Sequence, residues 1–218
     1  MNNQRLNKIL NLINVHDCVA DIGTDHGYLL IGCMEKGLKF CQGVENKLGP
    51  YLVAEANLNN YIQDGRIKLS LSDGLKDLDP LIDTVVIAGM GGELISKIID
   101  ESLAKAKTLK KLILEPNIRC YELRKYLNLN GFTIYNEEII NDNDKYYEIM
   151  EVKFTNSLPT LSENELLFGP ILLKNANPLF ITKWQTKLNE YENIKNTSTK
   201  KLPNIEEMIE RIKEVIHD

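Results

Sequence analysis

The stretch Cys18-Val19-Ala20-Asp21-Ile22-Gly23-Thr24-Asp25-His26-Gly27 decides the reading of the chain. An apolar, β-rich run over 18–22 meets an acidic turn with two glycines, and a helical pattern follows from about His26 to Lys36. A strand that feeds a tight turn into a helix is written this way. Glycine there lets the backbone bend sharply and approach a ligand closely. A dinucleotide fingerprint would need G-x-G-x-x-G, whereas this loop supplies Gly23 and Gly27 with Asp25 between them. A carboxylate at that point repels a pyrophosphate and suits a ligand carrying an ammonium and a sulfonium. The charge argument favours S-adenosylmethionine over a nicotinamide dinucleotide.

Outward from this loop, short apolar runs alternate with helical patterns. Strands are predicted over 40–45, 66–72, 84–90 and 110–115, with helices over about 52–62, around 94–100 and over 119–129. FTIYNEEII (132–140) and YYEIMEVKF (146–154) follow, joined by a polar Asn-Asp connector that suits a hairpin. Alternation of this kind means a mostly parallel sheet with helices on both faces. The hairpin adds one antiparallel strand, giving seven in an α/β, Rossmann-like sheet. After Phe154 a polar, proline-containing hinge leads to two helical patterns, 179–194 and 205–216, separated by a polar turn. These form an antiparallel helical hairpin whose Trp184 and Met208 stripe packs between its helices. The expected division is a catalytic domain over 1–155 and a hairpin over 156–218.

Composition bounds the function. The 218 residues are 43% hydrophobic and 26% charged, as in ordinary globular proteins. No apolar stretch approaches the roughly 20 residues of a membrane span. MNNQRLNKILNL lacks a signal peptide's apolar region and cleavage site. Cys18, Cys33, Cys41 and Cys120 show no CxxC spacing and read as reduced core thiols, with no metal expected. A cytoplasmic, monomeric chain is the expectation. Net charge is −5, so there is no global basic field. In the tail, however, Lys183, Lys187, Lys195, Lys200 and Lys201 face only Glu190 and Glu192 nearby in sequence, leaving a solvated helix face or a local nucleic-acid contact.

Ligands of open α/β sheets bind outside the carboxyl ends of the strands, where strand order reverses. Besides the first loop, Glu45 closes the second strand, 22 positions after Gly23, where it can accept from both ribose hydroxyls. Asp73-Gly74 follows the third strand, where a carboxylate can accept from an adenine amino group. Each acid alone is weak evidence, but three at successive strand ends are hard to dismiss. Ala88-Gly89-Met90-Gly91-Gly92 ends the fourth strand with bare backbone, or makes a tight strand-to-helix turn. Leu114-Glu115-Pro116-Asn117 ends the fifth, with the Asn117 amide at the same sheet edge.

DIGTDHGYL, GVE, SDGL, AGMGG, LEPN followed by ELRKYL, and DNDKYYEI together resemble the bacterial tRNA (adenine(22)-N(1))-methyltransferase family. These are class I S-adenosylmethionine-dependent enzymes with a C-terminal coiled-coil hairpin. The motifs span about residues 5–154, and the tail matches in architecture only. Two positions depart: Leu30 stands where the family usually has proline, and Glu115 where it usually has glutamine. The resemblance implies methyl transfer to N1 of an adenine in the D-loop region of tRNA. It implies catalytic roles for Asp25 and His26, and S-adenosylmethionine contacts from Asp21, Gly23, Thr24, Gly27, Tyr28, Glu45, Asp73, Gly74, Ala88, Gly89 and Met90. Substrate contacts are expected from Gly91, Gly92, Asn117, Tyr146, Arg5, Lys183 and Lys187, with Tyr28, Tyr146 and Tyr147 as stacking platforms or core. The rivals are a methyltransferase of a small molecule or protein, a non-catalytic RNA-binding relative and a NAD-binding oxidoreductase.

Overall fold

The computed structural model describes residues 4–156, 158, 161–198 and 202–217. Among these, β1 (Val19–Ile22), β2 (Cys41–Glu45), β3 (Ile67–Leu71), β4 (Thr84–Gly91), β5 (Lys111–Ile118), β6 (Phe132–Asp142) and β7 (Lys145–Phe154) form one sheet. The strand order is β3-β2-β1-β4-β5-β7-β6. The first five strands pair in parallel, and β7 runs antiparallel between β5 and β6. The order reverses between β1 and β4, which puts the switch point at the Gly23 loop. Asn143 and Asp144, at φ 52° and 61°, make the two-residue turn between β6 and β7, the left-handed pair that a tight hairpin requires.

Alternate residues of the central strands serve opposite cores. Ala20, Ile22, Val85, Ile87, Leu112 and Leu114 pack with residues of α4 (Gly92–Asp100) and α6 (Cys120–Leu129). Val19, Val86 and Ile113 face the other way, toward α1 (Gln4–Leu12), α2 (Tyr28–Glu35) and α3 (Leu48–Gln63). This is the period-2 pattern of strands buried on both faces. Leu30 is wholly buried in the second core, and a Cβ on Gly43 would come within 2.9 Å of its Cδ1. The side chain therefore fills the space that the β2 glycine leaves.

Several elements extend the sequence expectation. Helix α1, with Leu6, Ile9 and Leu10 set against the second core, was not anticipated, although its 3–4 spacing is an amphipathic signal. A short α5 (Leu103–Ala106) follows α4, and β5 runs past Pro116 to Ile118. The ladder tolerates that proline because the β4–β5 register shifts on either side of Met90, which pairs with it.

The tail is α7 (Glu163–Phe168), α8 (Pro170–Asn175), α9 (Pro178–Thr197) and α10 (Pro203–His217). Helix α7 starts inside the expected hinge, where Ser162 and Glu165 form a reciprocal capping box. Phe168, Leu172, Phe180, Trp184, Leu188, Ile209 and Ile212 form a third core that includes Ile139 of β6. The hairpin is thus packed on the sheet edge. A buried ion cluster reinforces the junction. Arg124 of α6, fully buried, donates to Glu137 at 2.9 Å and Glu148 at 2.5 Å, and Lys183 of α9 pairs with Glu148. The Ile171 N–H reaches Glu137 at 2.8 Å. Burial alone would raise the Glu148 carboxyl, but Arg124 and Lys183 outweigh it and hold it at about 2. Lys187 pairs with Glu190 within α9, and Lys195 with Glu206 across the hairpin, so these tail cations are already partnered. Lys200 and Lys201 lie outside the described residues.

Candidate active site

The β1 loop is built to hold its carboxylates in place. Asp21, buried, accepts from the Thr24 hydroxyl at 2.9 Å. The N–H groups of Gly23 and Thr24 donate to the Val44 carbonyl at 2.8 and 3.2 Å, tying the loop to β2. The Asp25 N–H points to Glu45 Oε2 at 3.4 Å, and Glu45 Oε1 accepts from the Lys47 N–H at 3.0 Å. Gly23 and Gly27 take φ of 74° and 75°, the glycine region of backbone space, but so does Asp25 at 48°. A non-glycine residue held there marks a position whose side chain is worth some backbone strain.

Two cavities meet at this loop, and a third shares Arg5 with one of them. One, of about 400 Å³, gathers Gly23, Asp25, Glu45, Asp73, Gly74 and Met90, opposite apolar Val44, Pro50, Leu94 and Ile98. Five of these six are residues that the sequence reading assigns to the donor, and the sixth, Asp25, is one it assigns to catalysis. A second, of about 490 Å³, gathers Asp21, Thr24, Asp25, His26, Tyr28 and Ala88 with Arg5 of α1. Asp25 is common to both, so it stands at their junction. His26 Nε2 lies 3.7 Å from Asp25 Oδ2, and its ring stacks on Tyr28 at 5.6 Å between centroids. The third, a cleft of about 760 Å³ between the strand ends and α9, is lined by Asn117, Tyr146, Tyr147, Lys183, Lys187 and again Arg5.

Other expected contacts serve the scaffold. A Cβ on Gly92 would fall 2.2 Å from the Arg119 carbonyl oxygen, so this glycine lets α4 close on the β5–α6 turn. On Gly27 the Cβ would meet Leu58 at 2.8 Å, so the loop packs closely on α3 there, where the Asn57 amide also donates to the His26 carbonyl. Gly91 precedes α4, and among the described residues a Cβ there would meet only Ile118, at 3.7 Å. Gly89, at φ 77°, is gripped from both sides: Glu115 accepts its N–H at 2.9 Å, and Asn117 donates to its carbonyl at 2.7 Å. The Asn117 amide is therefore at least half committed to shaping the β4 end.

The donor set fits S-adenosylmethionine. Glu45 and Asp73 offer acceptors for hydroxyl and amino groups, and the apolar wall across the first cavity suits a purine face. Asp21 supplies the test of charge. Burial pushes its carboxyl up to about 6, against the Thr24 hydroxyl, and the charges of Glu45 and Asp25 push the same way. A cationic ligand would relieve that strain. A raised carboxyl pKa means that the folded chain retains a proton the unfolded chain would lose. Its stabilising contribution is complete below about pH 4 and is lost as pH rises through about 6. Asp21→Asn is therefore expected to raise stability by about 2–3 kcal/mol at pH 7.5, at 1.36 kcal/mol per pKa unit, while weakening donor binding. Thermal melts at pH 4 and 7.5 with donor titration check this; a variant less stable than the parent at pH 7.5 contradicts it.

The strand order and the acidic strand ends around a glycine loop define a Rossmann-like, class I S-adenosylmethionine-dependent methyltransferase. Residues 19–218 match the family TrmK, tRNA (adenine(22)-N(1))-methyltransferase, and the chain belongs to that family. Among curated proteins it is 28% identical to the tRNA (adenine(22)-N(1))-methyltransferase of Bacillus subtilis, covering 98% of this chain and 96% of the relative. A solved Streptococcus pneumoniae structure is 33% identical over 100% of both chains, with TM-score 0.93, and 0.88 when in complex with S-adenosyl-L-methionine. M. capricolum TrmK in complex with S-adenosyl-homocysteine is 27% identical, over 100% of this chain and 98% of that one, with TM-score 0.84.

Proposed function

We propose that this chain transfers a methyl group from S-adenosylmethionine to N1 of adenine-22 in the D-loop region of tRNA. Family membership over residues 19–218 carries the reading, and the junction of cavities at Asp25 supports it. When bound, S-adenosylmethionine supplies an electrophilic methyl group on a sulfonium. In this reading Glu45 accepts from the ribose hydroxyls, Asp73 from the adenine amino group, and Asp21 faces the ammonium. Neutral adenine N1 has an in-plane lone pair, so neither a base nor a metal is required to generate the nucleophile. Asp25 stabilises positive charge that develops only during transfer, and His26 orients it. Alignment of methyl and N1 supplies the larger share of the acceleration.

N1 lies on the pairing edge, so the base must be unpaired or drawn out of the RNA fold. The RNA is then held by backbone and shape. The third cleft, with Arg5, Asn117, Tyr146, Lys183 and Lys187, supports that role, because it joins the strand ends to the hairpin. Functionally, residues 1–155 are the donor-binding catalytic part and 156–218 the RNA-holding part. No described helix is long and apolar enough to cross a membrane, and the setting proposed is cytoplasmic, where tRNA is processed.

The test is incubation with S-adenosylmethionine and unmodified bacterial tRNA, followed by nucleoside mass spectrometry and site mapping. The expected product is 1-methyladenosine at a single D-region adenine. Donor binding without any methylated nucleoside would overturn the tRNA assignment and return the small-molecule or protein substrates to contention.

A further inference from the structure

Glu115 is the least explained charged group in the molecule. It is wholly buried at the end of β5, and its two oxygens are used unequally. Oε2 accepts the Gly89 N–H at 2.9 Å and lies 3.4 Å from Arg5 Nη1, whereas Oε1 is buried without a hydrogen-bond partner. Leaving a carboxylate oxygen unsatisfied in the interior is costly, and such an atom in a native structure calls for a cause.

Its surroundings supply one. Ala88, the β4 residue registered against Glu115, lines the donor-side cavity. Pro116 and Asn117, the next residues in the chain, line the cleft beside α9. Arg5 lines both cavities and is the cation paired with Glu115. The carboxylate thus sits at the partition between the donor side and the acceptor side. The Arg5 guanidinium also lies over the Tyr147 ring, 5.2 Å from its centroid. A planar group that offers N–H to a carboxylate and a face to an aromatic ring is what an adenine with its exocyclic amino group also presents.

We propose that Glu115 is the recognition group for the target adenine, its unpartnered Oε1 accepting a hydrogen bond from the exocyclic amino group once the base has displaced Arg5 from beside the carboxylate. The inference rests on the methyltransferase reading above and deepens it. During transfer the N1 lone pair forms the new bond to the methyl carbon as the carbon–sulfur bond breaks. The sulfonium's positive charge passes to the N1–C6–amino amidine of the base, and no proton moves in that step. A carboxylate bonded to the amino group feels that charge as it develops, so its contribution is greater in the transition state than in the ground state. Burial pushes the Glu115 carboxyl up to about 7, against the lowering effects of Arg5 and the Gly89 N–H. Arg5 from α1 and the Gly89 N–H from β4 are the groups that face it.

The experiment compares two tRNA transcripts, one with adenine and one with purine, which lacks the amino group, at the modified position. For the parent protein, loss of the amino group is expected to lower kcat/KM by about 30–100-fold, the range for a hydrogen bond to a charged group plus the weaker nucleophile. In Glu115→Ala the same base change costs at least about tenfold less, because the contact is already gone and only the change in nucleophile remains. An equal penalty in parent and variant overturns the proposal. Glu115→Gln keeps an acceptor for the Gly89 N–H and guards against misfolding of the alanine variant. With it, the roughly fourfold rise in kcat/KM expected of the parent between about pH 6.5 and 8 disappears; persistence of that rise overturns the proposal. Failure of the parent to methylate the adenine transcript at all would instead overturn the function on which this rests.

Discussion

Asp25→Ala is expected to lower methyl transfer at saturating donor at least about 100-fold, the scale seen when one preorganised electrostatic partner is removed. The expectation comes from position. Asp25 lines both the cavity of Glu45 and Asp73 and the cavity of Asp21 and His26, so its carboxylate stands where the two cavities meet. Its backbone is held in the left-handed region at φ 48°, where aspartate is tolerated better than most residues but glycine is at ease. Asp25→Gly is therefore the sharper variant. It relaxes the backbone and removes only the carboxylate, so its melting temperature should equal or exceed that of the parent while turnover falls as far as in the alanine variant. Single-turnover rates with donor affinity measured separately decide the matter. Near-parental turnover in the glycine variant would remove Asp25 from the mechanism.

The second large effect concerns stability. Arg124→Leu should cost about 3–5 kcal/mol, the usual penalty for leaving buried charge without its partner, and lower Tm by about 10 °C or more in a chain of this size. Arg124 bonds to Glu137 and Glu148 and to the carbonyls of Leu166 and Leu167 at 3.4 Å. Lys183 still partners Glu148 in the variant, so Glu137 is the group left most exposed to the loss. Adding Glu137→Gln to Arg124→Leu should restore part of the stability, and equal Tm in single and double variants would show that the ion cluster is not the cause. The depressed Glu148 carboxyl adds a pH signature. Its contribution is present above about pH 4.5 and is lost as the pH falls through 2, so acid unfolding of the parent should steepen there.

The parts of this structure that sequence discloses are those with a local period. Val85-Val86-Ile87 and Leu112-Ile113-Leu114 send alternate side chains to two cores, and a run that is apolar throughout announces burial on both faces. The acids Asp21, Glu45 and Asp73 are legible for the same reason, since each lies at or just beyond the end of a recognisable strand. What escaped notice depends on contacts between distant positions. Arg5 meets Glu115 across 110 positions of chain, and nothing near either residue in sequence announces the other. The tail lysines look unpaired along the chain, yet Lys195 finds Glu206 and Lys213 finds Glu192 once α9 and α10 lie side by side. Gly92 is ambiguous for another reason: a glycine needed to admit a ligand and one needed to admit the Arg119 carbonyl are written with the same letter. Helix α7 was hidden by its polar capping box, because Ser162 and Glu165 resemble hinge composition until their reciprocal bonds are seen.

The acidic lining of the loop has a bearing on turnover as well as on binding. Asp21, Asp25, Glu45 and Asp73 line two adjoining cavities that the proposed reading assigns to the donor, and two of them are largely sealed from water, where charge is less well screened than in solvent. The donor arrives with a sulfonium and leaves as an uncharged thioether. The same carboxylates that attract the first species have one less positive charge to hold in the second. In the proposed reading this acidic lining holds fresh donor more strongly than spent donor, which tighter binding of S-adenosylmethionine than of the thioether product would show.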